Sequence, residues 1–212
     1  MSFARFTRTA LGWGLAATLG MAALSATAGN QSTSTSPLAI NTARVTIDGN
    51  SNLHPYTVSS TAVRLTRVQL AEGVAGPDVW GNVVKAGALQ AFEVAIPVLK
   101  LSSPKDGLDK NMHKALKAQA HPEITFRLLR LEAGVTDGTF RGIGVLRVAG
   151  VEKEVAFAMT TQAQNGAMTV KGEIELLMPD FGIAPPKAML GMLKTDPKVK
   201  VTFETVLALS TT

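Results

Sequence analysis

Three histidines, His54, His113 and His121, and two acids, Asp109 and Asp180, are the side chains that invite a chemical reading. A histidine with a carboxylate could move protons, and converging imidazoles and carboxylates could hold a metal. Their spacing forces neither arrangement. His113 falls on the polar side of an amphipathic segment and is expected to be exposed. His121-Pro122 marks a helix-to-strand corner. His54-Pro55-Tyr56 opens a strand, where a structural hydrogen-bonding role is expected of the ring. Asp180, between Pro179 and Phe181, sits at a strand end and suits a turn cap.

Other chemistry fails on residue type. The chain has no cysteine, which excludes disulfides, thiolate metal sites and a cysteine nucleophile. No Gly-x-Ser-x-Gly, His-Glu-x-x-His or Walker-type loop is present. Gly142-Ile143-Gly144 could start a dinucleotide fingerprint, but Arg147 stands where the third glycine belongs and no helix follows. No catalytic residue, metal ligand or cofactor is therefore assigned, and the chain reads as a non-enzyme.

The elements around these residues are mostly strands. Period-two alternation, the mark of a strand with one buried face, places Met168, Val170, Ile174 and Leu176 opposite Lys171, Glu173 and Glu175. Val199, Val201, Phe203 and Leu207 alternate with Lys200, Thr202 and Glu204. Phe92, Val94, Ile96 and Val98 repeat the pattern, as do Val155, Phe157 and Met159. Ile124, Phe126 and Leu128 follow it until Leu129 and Leu131 shift the phase, predicting a β-bulge. With Val45 to Ile47 and the run from Tyr56 to Leu70, about eight strands are expected. Asp137-Gly138 and Asn165-Gly166 are strong hairpin signals, and Ala149-Gly150 is a weaker one. The sum is a mainly β chain, an antiparallel meander that closes into a barrel and removes its edges. One short amphipathic helix is expected from Asp106 to Ala118, with Leu108, Met112, Ala115 and Leu116 on one face, Asp106 capping it, and Lys110, Lys114 and Lys117 in solvent. A second short helical turn is expected from Lys187 to Leu193.

The N-terminal segment reads as an export signal. Arg5 and Arg8 precede an apolar stretch from Ala10 to Leu24, and Ala26-Thr27-Ala28 is a fitting cleavage site. The stretch is shorter than the roughly 20 residues of a membrane span. Residues 1–28 are thus expected to be removed, with an uncleaved anchor as the other reading, 29–39 to form a polar, disordered lead-in, and 40–210 to form the folded domain. The expected location is the periplasm, with no stable membrane anchor after cleavage. The formal charge is +5; losing Arg5 and Arg8 lowers it by two, to +3. Nucleic-acid binding would need a clustered basic stripe with aromatics, which is lacking.

Four segments, in order, resemble the YceI-like family of exported lipid-binding proteins. They are Ile47-Asp48-Gly49-Asn50-Ser51-Asn52-Leu53-His54; the helix Leu108 to Leu116 leading to His121-Pro122-Glu123-Ile124-Thr125-Phe126; Gly144-Val145-Leu146-Arg147-Val148-Ala149-Gly150-Val151; and Asp180-Phe181-Gly182-Ile183. The likeness covers about residues 41–210. The family's usual arginine before Asp-Phe-Gly is replaced by Met178-Pro179, and residues 71–89 stand in place of its glycine- and phenylalanine-rich early strand. The resemblance implies a lipocalin-like β-barrel holding an isoprenoid or another amphiphile.

The expected function is an exported periplasmic protein that holds an apolar or amphiphilic small molecule, such as an isoprenoid lipid, inside the barrel. The alternative is a ligand-free accessory module of an envelope stress or electron-transfer system. The expected ligand-binding residues are Phe92, Val94, Ile96, Phe126, Phe140, Phe157, Met159, Val170 and Phe181, whose other reading is a filled core. Met189, Met192 and Leu193 are read as packing of a connecting turn, with a flexible lip over the mouth as the other reading. Nothing in the sequence sets the oligomeric state, and a homodimer is compatible with it.

Overall fold

A computed structural model describes residues 36–74, 76, 78–188 and 193–210. Among the described residues, ten strands are β1 (Leu38–Ser51), β2 (Tyr56–Ser60), β3 (Arg64–Leu70), β4 (Leu89–Pro97), β5 (Glu123–Ala133), β6 (Thr139–Val148), β7 (Val151–Gln164), β8 (Ala167–Leu177), β9 (Lys187–Ala188) and β10 (Leu193–Leu209). Two α-helices, α1 (Val79–Val83) and α2 (Asp106–Ala115), and two 3-10 turns, Val98–Lys100 and Met178–Phe181, interrupt them. All the strand ladders are antiparallel, in the order β2-β1-β10-β8-β7-β6-β5-β4-β3, with β9 paired to β10.

This is the expected mainly β, lipocalin-like antiparallel barrel, curled from one meandering sheet. Its closure is less complete than the alternation suggested. β2 and β3 are the two ends of the hydrogen-bonded order. At β2 the seam is held by the Ser59–Ser102 bridge, in which each residue's N–H donates to the other's carbonyl at 2.9 and 3.0 Å.

Local signals explain the register. Asn165 and Gly166 both take positive φ between β7 and β8, and Ala149 and Gly150 do so between β6 and β7, the conformation a two-residue hairpin needs. The phase shift in β5 is a bulge between Leu128 and Arg130, which turns Leu129 outward to 42% exposure. On the outer face Lys198 pairs with Glu175 and Lys200 with Glu173, both at 2.7 Å, and Lys171 pairs with Glu204 at 3.1 Å. Exposed pairs add little stability. A one-residue slip would bring these charges inside, so they also pin the register.

Several expectations need correction. Leu38 and Ala39, read as the end of a lead-in, are the first residues of β1, and Leu38 is buried. The helical turn expected from Lys187 is not formed there: Lys187 and Ala188 are the strand β9, paired with Lys194 and Leu193. Met189 and Met192, and with them the lip reading, lie outside the described residues. The helix α1 was not anticipated. Asp106 does not cap α2, whose N-cap is Lys105 with no side-chain cap bond. Instead, Asp109 Oδ1 accepts the backbone N–H of Ser103 at 2.9 Å and ties the helix to its entry loop.

The core gathers in two clusters. Val79, Trp80 and Val83 of α1 pack with Leu38, Met168 and Leu207, and Ile40, Leu65, Val68, Leu89, Phe92 and Val170 close around them. A second cluster at the opposite end joins Val148, Ala149, Phe181 and Ile183 to Ile124, Leu146, Leu176 and the inner face of α2.

Candidate functional site

Between α2 and the second cluster lies a cavity of about 580 Å³. Its walls come from the side chains of seven strands: Val45 and Ile47 of β1, Val58 of β2, Ile96 of β4, Ile124 of β5, Leu146 and Val148 of β6, Leu176 of β8, and Val199 and Val201 of β10. They face one space because alternation sends every second residue inward and the ladders set them at matching heights: Val94 pairs with Phe126, Ile96 with Ile124, Phe126 with Leu146, and Ile47 with Val201. Leu108, Met112, Ala115 and Leu116 of α2 form the roof. These four side chains are only half-buried, and α2 contains no fully buried residue. An amphipathic helix seated on a filled core would bury its apolar face. Here the face looks onto open volume.

The rim is polar. Ser51, His54, Tyr56, Thr57, Ser103, Lys105, Asn111 and Thr195 line the same cavity. A turn built on Ser51 shapes it: the Ser51 hydroxyl donates to the carbonyl of His54 at 2.8 Å and accepts its N–H at 3.2 Å. Tyr56 lies over Gly49, its partner in the β1–β2 ladder, where a side chain would overlap the ring. Burial, and secondarily the carboxylate of Asp196, push the Tyr56 phenol above its ordinary pKa. Among the described residues no aspartate or glutamate lines the cavity, whereas Lys105 does.

The histidines do not converge. His54 is at the rim, exposed, with Nδ1 3.2 Å from the carbonyl of Pro55. His113, expected to be exposed, is half-buried, and its Nε2–H donates to the carbonyl of Leu101 at 2.9 Å, anchoring α2 to the strand exit. His121 packs against Gly150, whose φ of +87° and lack of a side chain admit the ring. Asp109 is committed to Ser103, and Asp180 is exposed on its 3-10 turn. Among the described residues no three His, Asp or Glu side chains gather to hold a metal. What the site can do chemically is bury an apolar chain and offer hydrogen bonds and one ammonium to a polar end.

Of the nine residues expected to bind a ligand, Ile96 and Phe181 line this cavity. Phe92 and Val170 pack on the core around α1. Val94 is half-buried on β4, paired with Leu65 and Phe126. Phe140 and Met159 line a separate, shallower recess of about 530 Å³ with Arg44, Lys171, Glu173 and Phe203. Phe126 and Phe157 join Phe203 in a belt of rings, with edge-to-face contacts of 5.5 Å and 5.4 Å between centroids. Three glycines admit these rings: a side chain on Gly144 would overlap Phe126, one on Gly142 would overlap Phe157, and one on Gly172 would overlap Phe203. Sequence reasoning missed Val45, Ile47, Ile124, Leu146, Val199 and Val201 as wall residues. Their alternation was visible, but not which inward positions face empty volume.

The four segments carrying the family resemblance all reach this one cavity, through Ile47, Ser51 and His54; through Leu108, Met112 and Ile124; through Leu146 and Val148; and through Phe181 and Ile183. Residues 56–207 match the family model described as the YceI-like domain. Among solved structures, BcnA of Burkholderia cenocepacia superposes with a TM-score of 0.61 at 14% identity, over 78% of this chain and 96% of that one. A polyisoprenoid binding domain from Saccharophagus degradans, implicated in plant cell wall breakdown, gives 0.61 at 11% identity, over 83% and 100%. The YCEI protein of Campylobacter jejuni gives 0.55 at 13% identity, over 73% and 85%. At these identities the likeness is one of fold. Comparison with the curated proteins finds no match.

Proposed function

Because the chain belongs to the YceI-like family, we propose that it is a binding protein whose barrel holds an isoprenoid or similar amphiphile, tail in the cavity and polar end at the rim. The observation that carries this reading is the 580 Å³ cavity with apolar walls, a helical roof and a polar rim. Its size falls within the range of about 300–1,000 Å³ usual for small-molecule sites. Each buried methylene contributes about 0.8 kcal/mol, so ten give on the order of 8 kcal/mol before ordering costs are subtracted. Greasy walls suffice for affinity, and the reading needs no catalytic group. The polyisoprenoid binding domain of Saccharophagus degradans, with the same fold, supports this class of ligand. Among the described residues no helix is long and apolar enough to cross a membrane. With the export signal read in residues 1–28, we place the protein in the periplasm.

Native mass spectrometry with lipid extraction, on protein purified from its own host, tests the reading. One lipid per chain is expected, and Leu146→Trp, whose indole would fill the cavity, should lose it while keeping the β-sheet circular dichroism signal. Protein that carries no lipid and takes up none from added farnesol would sink the proposal.

A further inference from the structure

We infer that the belt of Phe126, Phe157 and Phe203 is the floor of the cavity and limits the length of chain this barrel accepts. The inference rests on the binding function proposed above and goes further, to the class of ligand by length.

Chain order places the belt at mid-height. Along β5, Ile124 lines the cavity and Phe126, the next inward residue, is in the belt. Along β10, Val199 and Val201 line the cavity, Phe203 is in the belt, and Leu207 is in the core around α1. Along β8, Leu176 lines the cavity, Gly172 lies against the Phe203 ring, and Val170 and Met168 belong to that core. None of the three rings lines the cavity. A chain entering between α2 and the rim therefore meets three interlocked rings before it reaches Trp80.

The rings are lodged by their neighbours. Gly142 pairs directly with Phe157, and Gly172 with Phe203, so the far edge of each ring lies over a glycine where a β-carbon would displace it. Edge-to-face pairs add about 0.5–1.5 kcal/mol each beyond their buried area, which favours a fixed partition over a swinging one. The volume above it is finite. A cavity of about 580 Å³ sits in the middle of the range of about 300–1,000 Å³ usual for small-molecule sites. It suits a short prenyl chain with its polar end, or a single acyl chain, rather than a long polyprenyl tail.

Calorimetric titration of the full chain with geraniol, farnesol, geranylgeraniol, geranylfarnesol and solanesol, in order of increasing length, reads the floor directly. For the unaltered protein, affinity should climb to geranylgeraniol and then stop climbing. Phe157→Ala should extend the climb to geranylfarnesol, with a gain on the order of tenfold or more from the added methyl and methylene groups. Phe157→Leu, a smaller change read in its place if the alanine variant unfolds, should give part of that gain. Affinity that keeps rising to solanesol in the unaltered protein overturns the floor while leaving the binding function standing. So does a length limit that stays put in folded variants. If none of the alcohols binds, the binding function itself fails, and the floor with it.

Discussion

The two ends of this barrel are built from the same alternating strands and end in opposite states. At one end α1 drives Val79, Trp80 and Val83, at 2%, 7% and 3% exposure, into the lumen and fills it. At the other, α2 lies across the opening and leaves its apolar face half-buried above a cavity of about 580 Å³. The difference lies in what each helix inserts. A five-residue helix with an indole acts as a plug. A ten-residue helix with Leu108 and Met112 inward, held off by the Asp109–Ser103 and His113–Leu101 bonds, acts as a roof. Interiors normally pack without voids larger than a water, so the unfilled end is the departure on which the proposed binding function rests.

Substitutions at the two ends sharpen the contrast. Trp80→Ala should have the largest effect, a loss of about 3–5 kcal/mol by urea denaturation, because the indole is buried among Leu38, Met168 and Leu207. Gly142→Val at the belt comes next, at roughly 1–3 kcal/mol, since its side chain has to displace the Phe157 ring. Leu146→Ala in the cavity wall should cost about 2 kcal/mol, the low end of the range for such truncations, because part of the side chain already faces open volume. If Leu146→Ala proves as damaging as Trp80→Ala, the ends are equally packed and the contrast is lost. Met112→Ala in the roof should cost still less, yet weaken farnesol binding.

The smallest effect is electrostatic. Burial raises the Tyr56 pKa, so the folded protein keeps this phenol protonated at a pH where the unfolded chain, with a pKa near 10, has begun to lose the proton. The resulting stability is intact below that pH and falls as pH rises through the folded pKa. Tyr56 is the only tyrosine, so phenolate absorbance reads it alone. Its midpoint should exceed that of the unfolded chain, and rise further with farnesol seated at the rim. A midpoint equal to that of the unfolded chain would show that the rim does not bury the ring.

Local sequence determined much of this architecture. The period-two runs, the turns at Ala149-Gly150 and Asn165-Gly166 and the bulge after Leu128 follow from backbone sterics and from which face water rejects, and both act over a few residues. The same holds for the apolar face of α2. The short strand at Lys187–Ala188 and the buried insertion of α1 were not legible, because neither repeats long enough to show a period.

Tertiary structure alone decided which inward positions meet each other and which meet empty space. Phe126, Phe157 and Phe203 are each one inward residue among many in their strands; only the ladder register brings them edge to face over Gly144, Gly142 and Gly172. Ile124 and Val170 read alike in the sequence, yet Ile124 lines the cavity while Val170 packs on the core around α1, away from it. Alternation records that a side chain leaves water. It holds no record of the volume across the barrel, which depends on residues far away in the chain.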